Sequence, residues 1–168
     1  VQEVTITFNY NFQFSKSQRR NLRSNSDLRV EVRPINITPE SDDLFHRHKQ
    51  RFDHGVPASI YDFLSLKPAA IPCEAREVAV YDNDRLVAVS YFDVGLTTTS
   101  GIYAAFDPDK PLGLGIFTML KEIKFSIDAG KKFYYQGYAY EGESFYDYKK
   151  RFAATEMFDW NGVWSPLA

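Results

Sequence analysis

The run from Ser100 to Tyr140 constrains the fold most, because strand, glycine loop, helix and strand signals follow one another without interruption. Residues 101–106, GIYAAF, are apolar and partly β-branched or aromatic, and Asp107-Pro108-Asp109 closes them as a turn. Leu112-Gly113-Leu114-Gly115 leads straight into a helical pattern. Ile116, Leu120, Ile123 and Ile127 recur at i, i+4, i+7 and i+11 as one apolar stripe, and Gly130 fits the residue just past the helix end. Lys131 and Lys132 then lead into a second strand, FYYQGYAY, over 133–140. A glycine loop that opens a helix between two strands leaves backbone N–H groups without helical acceptors. Gly113, Leu114, Gly115 and Ile116 are therefore the expected site for a phosphate or a developing oxyanion. The other reading is a plain tight connection, since the loop has neither the Gly-Lys-Ser/Thr of an NTPase nor the glycine spacing of a dinucleotide fingerprint.

The rest of the chain reads as alternating short elements. Val4, Ile6, Phe8, Tyr10, Phe12 and Phe14 alternate with polar residues, which predicts one long half-buried strand over 4–14. Ser15-Lys16-Ser17-Gln18 has capping-box spacing and starts a short helix. Residues 28–33 alternate again as a strand, and Thr38-Pro39-Glu40 opens a helix that turns Leu44, Phe45, His48 and Phe52 inward. Ser59 caps a second short helix, and residues 67–74 with Pro68 and Pro72 read as loop. Strands at 77–82 and 85–94 are joined by Asp82-Asn83-Asp84 as a hairpin. A helix around 143–151 and a short strand near 155–160 complete the order.

Composition narrows the function classes. With 168 residues, 44% hydrophobic and 16% aromatic, the chain can bury a substantial core. A formal charge of −2 excludes an overall basic nucleic-acid binder but leaves room for a local patch. Lys16, Arg19, Arg20, Arg23, Arg29 and Arg33 form such a patch, opposed by Asp27 and Glu31. No apolar run reaches membrane-spanning length and no signal-peptide pattern appears, so no membrane partner and a cytoplasmic location are expected. Cys73 stands alone, and His46 and His48 at i and i+2 of a helix do not face one point, so no metal site is expected.

From residue 28 the order is strand, two helices, three strands, glycine loop and helix, strand, helix, strand. That order resembles the GNAT acyltransferase fold. The resemblance implies an α+β class: a mixed, mostly antiparallel sheet flanked by helices, here with an added N-terminal strand and short helix. Residues 1–27 are expected to carry that added strand and the basic SKSQRR helix, and 28–168 the acyltransferase unit. Sequence blocks narrow the family. FSKSQRRNLR at 14–23, RLVAVSYFDV at 85–94, FDPDKPLGLGIFTMLKEI at 106–123, FYYQGY at 133–138 and YKKRF at 148–152 resemble, in order, blocks of arginyl-tRNA–protein transferases and their bacterial leucyl-transferring relatives. No cysteine-rich region precedes SKSQRR, Arg76-Glu77 stands where histidine-glutamine is expected, and Ala153-Ala154 replaces a basic residue and proline. The resemblance is thus to a reduced form of the family.

The resemblance implies an enzyme that moves an amino acid from tRNA to an amino group of a protein or peptide. Its co-substrate would be aminoacyl-tRNA, with no tightly bound cofactor. By carry-over, Ser15, Lys16, Ser17, Gln18, Arg19, Arg20 and Arg23 would contact tRNA together with the 113–116 loop. Tyr148, Lys149 and Arg151 would lie near the reacting ester, and Tyr138, which follows Gly137, can reach the same cleft. The strand backbone near Ala104–Phe106 and the loop N–H groups are the expected oxyanion donors. Two other readings stay open here: an acyl-CoA-dependent N-acyltransferase on the same fold, and a non-catalytic RNA- or peptide-binding relative.

Overall fold

Helix starts follow the capping residues. Ser15 accepts the backbone N–H of Gln18 at 3.2 Å while the Gln18 side chain accepts the Ser15 N–H at 2.8 Å. Thr38 and Ser41 make the same reciprocal pair at 2.9 and 3.1 Å, with Pro39 in the first turn. The structure, a computed structural model, describes residues 2–8, 12–110 and 113–167. The elements are β1 (Gln2–Thr7), α1 (Lys16–Ser24), β2 (Arg29–Pro34), α2 (Pro39–Lys49), β3 (Ala75–Asp82), β4 (Arg85–Val94), β5 (Thr98–Phe106), α3 (Leu114–Asp128), β6 (Phe133–Ala139), β7 (Thr155–Phe158) and β8 (Trp164–Pro166). Short 3-10 segments occupy Ile60–Asp62 and Phe145–Arg151.

The strands form one sheet in the order β2-β3-β4-β5-β6-β1-β7-β8. Every neighbouring pair is antiparallel except β5 and β6. This is the expected α+β, GNAT-like mixed sheet. Two cores lie on its two faces. Leu44, Phe45, Ile60 and Leu64 pack on Ala79, Val89 and Tyr91, whereas Leu114 and Phe117 of α3 pack on Val78, Val80, Val87 and Phe92. Val78 and Val80 thus serve one face and Ala79 the other, as strand alternation requires. A third cluster joins Ile6 of β1 to Leu120, Ile123, Tyr134 and Phe152.

Four expectations need correction. The alternation over 4–14 does not run on as one strand: β1 ends at Thr7, and residues 12–15 are irregular. Residues 9–11 of that expected strand, and Leu112 of the glycine loop, lie outside the described residues. Phe8, Phe12 and Phe14 instead stack edge-on at 5.3 and 5.5 Å against the third cluster, so their apolar spacing reflects packing rather than a ladder. The buried stripe of α3 is Leu114, Phe117, Leu120 and Ile123, with Ile127 left 40% exposed. The segment at 145–151 winds as a 3-10 helix, and a further strand, β8, pairs with β7 after Phe158. Gly130 does terminate α3, at φ 67°.

The position of β1 between β6 and β7 makes it a stability determinant. Ile6 is fully buried, so Ile6→Ala is expected to cost about 2–5 kcal/mol in urea unfolding. Leu96→Ala, at a side chain 95% exposed, should stay within about 0.5 kcal/mol of the native protein.

Candidate active site

The site begins where β5 and β6 part. They pair in parallel only through Thr98–Phe133, Thr99–Tyr134 and Ser100–Tyr135, and then diverge. Two clasps hold α3 across that junction. The Thr99 and Ser126 hydroxyls share a hydrogen bond of 2.5 Å, and the Tyr134 hydroxyl donates to Glu122 Oε2 at 2.5 Å. Beyond the junction each strand carries a bulge. Tyr91 faces Tyr103 while Phe92 faces Gly101, so Ile102 is the extra residue of β5. Val4 faces Gly137 while Thr5 faces Tyr135, so Gln136 is the extra residue of β6. Bulges of this kind bend a strand and re-aim one side chain. The opening between them is a cleft of about 120 Å³ closed by Gly115, Met119 and Glu122 of α3 and by Tyr148 and Lys149.

Glu122 is the chemically unusual group. It is 3% exposed, and burial raises its pKa to about 7 even though the hydrogen bond from Tyr134 pulls the other way. Gly101 makes room in front of it: a Cβ there would lie 2.9 Å from Tyr134 Oη and 3.3 Å from Glu122 Oε2. Lys149 faces the same cleft. Its Nζ donates to the Tyr138 carbonyl at 2.9 Å and sits 5.0 Å from the Tyr146 ring centroid, and burial lowers its pKa to about 8. A buried acid pushed up and a half-buried base pushed down therefore line one cavity, the arrangement that acid–base sites use.

The remaining sequence-derived residues fall in three places. Tyr148 lines the cleft and packs on the third cluster, with burial raising its pKa to about 12. Tyr138 is 58% exposed against Trp160, and Arg151 is exposed and does not line the cleft. At the loop, Gly113 caps α3 without a side chain at φ 61°, and the first helical bond runs from Phe117 N to the Gly113 carbonyl. The N–H groups of Leu114, Gly115 and Ile116 thus have no acceptor within the helix. Gly115 lines the cleft and admits Phe106, whose ring would lie 2.9 Å from a Cβ there.

Helix α1 docks on this loop, with Asn21 Nδ2 donating to the Gly113 carbonyl at 3.1 Å. Ser15, Lys16, Ser17, Arg19, Arg20 and Arg23 are exposed, whereas Gln18 is buried by its cap. Arg19 folds back onto the Phe14 carbonyl. Among the described residues no group of three or more His, Cys, Asp or Glu could hold a metal ion. His48 is buried, its Nδ1 lies 3.2 Å from the Phe106 backbone N and 3.1 Å from the Phe106 carbonyl and so bonds one or the other according to its tautomer, and burial lowers its pKa to about 4.

Sequence reasoning missed Glu122, Gln136 and Tyr134 as site residues. The signal for Glu122 is one carboxylate among Met119, Leu120 and Ile123, and it becomes visible only once the helix is rotated onto its true buried face.

A sheet whose two parallel neighbours part beside the helix that connects them defines a GNAT-like acyltransferase fold. Within that class the chain belongs to the arginine-tRNA-protein transferase family, whose C-terminal region matches residues 40–159. It is 30% identical to an aspartate/glutamate leucyltransferase of Paracoccus denitrificans over 93% of this chain and 61% of that protein. It is 31% identical to an aspartate/glutamate leucyltransferase of Xanthomonas campestris over 90% of this chain and 65% of that one. The chain thus spans just under two thirds of the length of these relatives. In structure it resembles the C-terminal domain of an Agrobacterium fabrum protein described as a lysylphosphatidylglycerol synthetase, with TM-score 0.65 and 15% identity over 82% of this chain and 46% of the other. It also resembles L-PGS from Bacillus licheniformis, with TM-score 0.62 and 12% identity over 97% of this chain and 57% of the other. These two likenesses carry the fold.

The buried carboxyl has a cost in stability with a definite sign. Its pKa is about 7 folded against 4.5 ordinarily, so the unfolded chain ionises first as pH rises. Stability is lost between those values, on the order of 3 kcal/mol in all. Glu122→Gln is therefore expected to raise the melting temperature relative to the native protein at pH 8 and to gain much less at pH 4. Equal effects at both pH values would contradict the shift.

Proposed function

We propose that this domain moves an amino acid from the ester end of a charged tRNA to an amino group of a polypeptide. One observation carries the reading: Glu122 and Lys149, both shifted toward neutral pH by burial, line one cleft at the β5–β6 junction in a chain of this family. The names of the relatives point to leucyl transfer onto aspartate or glutamate, and the family description to transfer from arginine-tRNA to protein; movement of an aminoacyl group is common to both. Charged tRNA is the co-substrate, no tightly bound cofactor is called for, and the cytoplasm, where charged tRNA is made, is the location that fits.

Aminolysis of an ester needs a neutral amine, a stabilised oxyanion and a protonated leaving oxygen. In this reading the Glu122 carboxylate takes the proton of the attacking amine as the C–N bond forms. The Lys149 ammonium gives a proton to the ribose oxygen as the C–O bond breaks. Backbone N–H groups at the start of α3 and at the Ile102 bulge of β5 face the developing charge. Tyr148 walls the acyl group off from water. Because an ester is already activated, positioning between the two strands supplies much of the effect. Arg20 and Arg23 on α1, beside the loop at Gly113, meet tRNA phosphates.

The test is transfer of labelled amino acid from a mixed charged-tRNA pool into acceptor peptides. kcat/KM should rise with pH as Glu122 ionises near 7 and fall as Lys149 loses its proton near 8. Glu122→Gln should remove the acidic limb and lower kcat/KM by about 10²–10⁴-fold. Lys149→Ala should cost about 10²-fold or more. Lys150→Ala is the control, because Lys150 pairs with Asp147 at 2.8 Å and does not line the cleft. No label in peptide with any charged tRNA would remove the proposal.

For tRNA binding, Arg20→Ala with Arg23→Ala should flatten the plot of log affinity against log salt by about 0.7–0.9 for each phosphate no longer neutralised. An unchanged slope would take α1 out of the tRNA surface.

A further inference from the structure

Gln136 is 4% exposed, and neither its amide nitrogen nor its amide oxygen has a hydrogen-bond partner among the described residues. A primary amide carries two donors on its nitrogen and two acceptor lone pairs on its oxygen, and leaving such groups buried and unpaired is costly. Native proteins keep few of them, and each calls for a partner. Gln136 is the extra residue of the β6 bulge, and a bulge re-aims a side chain. It lines the cleft together with Glu122, Tyr148 and Lys149. Gly137 beside it takes φ 80°, which glycine adopts readily, and a Cβ there would lie 3.5 Å from Lys149 Nζ. The amide is thus buried and unpaired on the wall of the space that the transferase reading gives to the aminoacyl ester.

The unpaired edge of Gln136 is a donor beside an acceptor, so its ligand must present an acceptor beside a donor. A leucyl side chain offers neither, and a guanidinium offers donors only. The part common to every aminoacyl ester offers both on adjacent carbons, since the α-amine donates and the ester carbonyl accepts. We infer that Gln136 holds the aminoacyl group by these two atoms, its amide oxygen accepting from the α-amine and its amide nitrogen donating to the carbonyl. The cleft therefore takes acyl groups that carry a free α-amine and discriminates against those that lack it, whatever the side chain. The inference rests on the transferase reading of the cleft, and it suits leucyl and arginyl donors alike. As the acceptor amine attacks and the carbonyl oxygen gains negative charge, the bond from the Gln136 nitrogen strengthens. A site built to hydrogen-bond its substrate rejects an analogue without the partner group far more strongly than an apolar pocket rejects one missing a methylene.

The experiment titrates the protein calorimetrically with stable amide analogues of the charged tRNA end, 3′-acylamino-3′-deoxyadenosines. Leucyl is set against 4-methylpentanoyl, and arginyl against 5-guanidinopentanoyl, so that each pair differs only in the α-amine. The native protein should bind the amine-bearing member of both pairs about ten- to a hundredfold more tightly. Gln136→Leu and Gln136→Met should each shrink both ratios by about tenfold. Thermal unfolding checks that the variants fold. If neither does, NMR of the native complex decides. A nuclear Overhauser effect between the Gln136 side-chain amide protons and the leucyl α-proton then supports the inference, and its absence overturns it. Equal binding within either pair overturns it. A ratio unchanged in the variants does so too, whether Glu122 or a water meets the amine or Gln136 holds the carbonyl alone; so does the absence of any binding. A parallel transfer assay with charged tRNA separates the two claims. Amine-dependent binding without transfer leaves the inference standing and removes the enzymatic reading, whereas transfer without amine-dependent binding does the reverse.

Discussion

The hydrogen bond from Tyr134 to Glu122 is the contact on which the site depends. At 2.5 Å and wholly buried, it ties α3 to β6 at the last residues where β5 and β6 still pair. The Thr99–Ser126 bond does the same for β5 on the next turn of the helix, and the Ser126 hydroxyl also donates to the Glu122 carbonyl at 2.7 Å. With α3 fixed at the junction, the strands beyond it are free to separate while the helix still closes the opening. The same bond holds the carboxyl in a desolvated place where its pKa lies near neutrality. Structural clasp and proposed base are therefore one residue, and its burial is destabilising above its ordinary pKa.

Around this junction the backbone is irregular on both sides. Ile102 and Gln136 are each an extra residue against the next strand, and both line the cleft. Glycines appear where space is needed: Gly101 clears Tyr134 and Glu122, and Gly115 clears Phe106. β1 lies outside β6 and carries the partner residues of the second bulge, Val4 and Thr5. The N-terminal strand is thus part of what shapes the cleft. Helix α1, reached by the phenylalanine-rich segment after β1, touches the loop at the start of α3 through Asn21. One short run of chain therefore joins the basic surface to the cleft wall.

Much of this is legible in the residues. Caps at Ser15, Thr38 and Ser59, the hairpin turn at Asn83, the end of α3 at Gly130 and the order of elements all follow from local chemistry. These are signals that neighbours in sequence decide. What is not legible depends on partners far along the chain. The phase of α3 is ambiguous because Ile116 and Ile127 look as apolar as Leu114 and Phe117, and only the sheet beneath decides which face is buried. Glu122 stays hidden for that reason. The bulge at Gln136 cannot be seen in FYYQGY, because it exists only relative to Val4 and Thr5. The strand expected over 4–14 fails through the same ambiguity, since alternating phenylalanines suit an aromatic cluster as well as a ladder.

At the β5–β6 junction a desolvated carboxyl lies poised near neutral pH and open to a cleft. The direct measurement is a side-chain ¹³C NMR titration of Glu122, assigned by comparison with Glu122→Gln. The carboxyl is expected to titrate near pH 7. A Glu122 carboxyl that titrates near 4.5 would contradict it, since burial would then not have shifted the group and its basicity would not be matched to proton transfer at neutral pH.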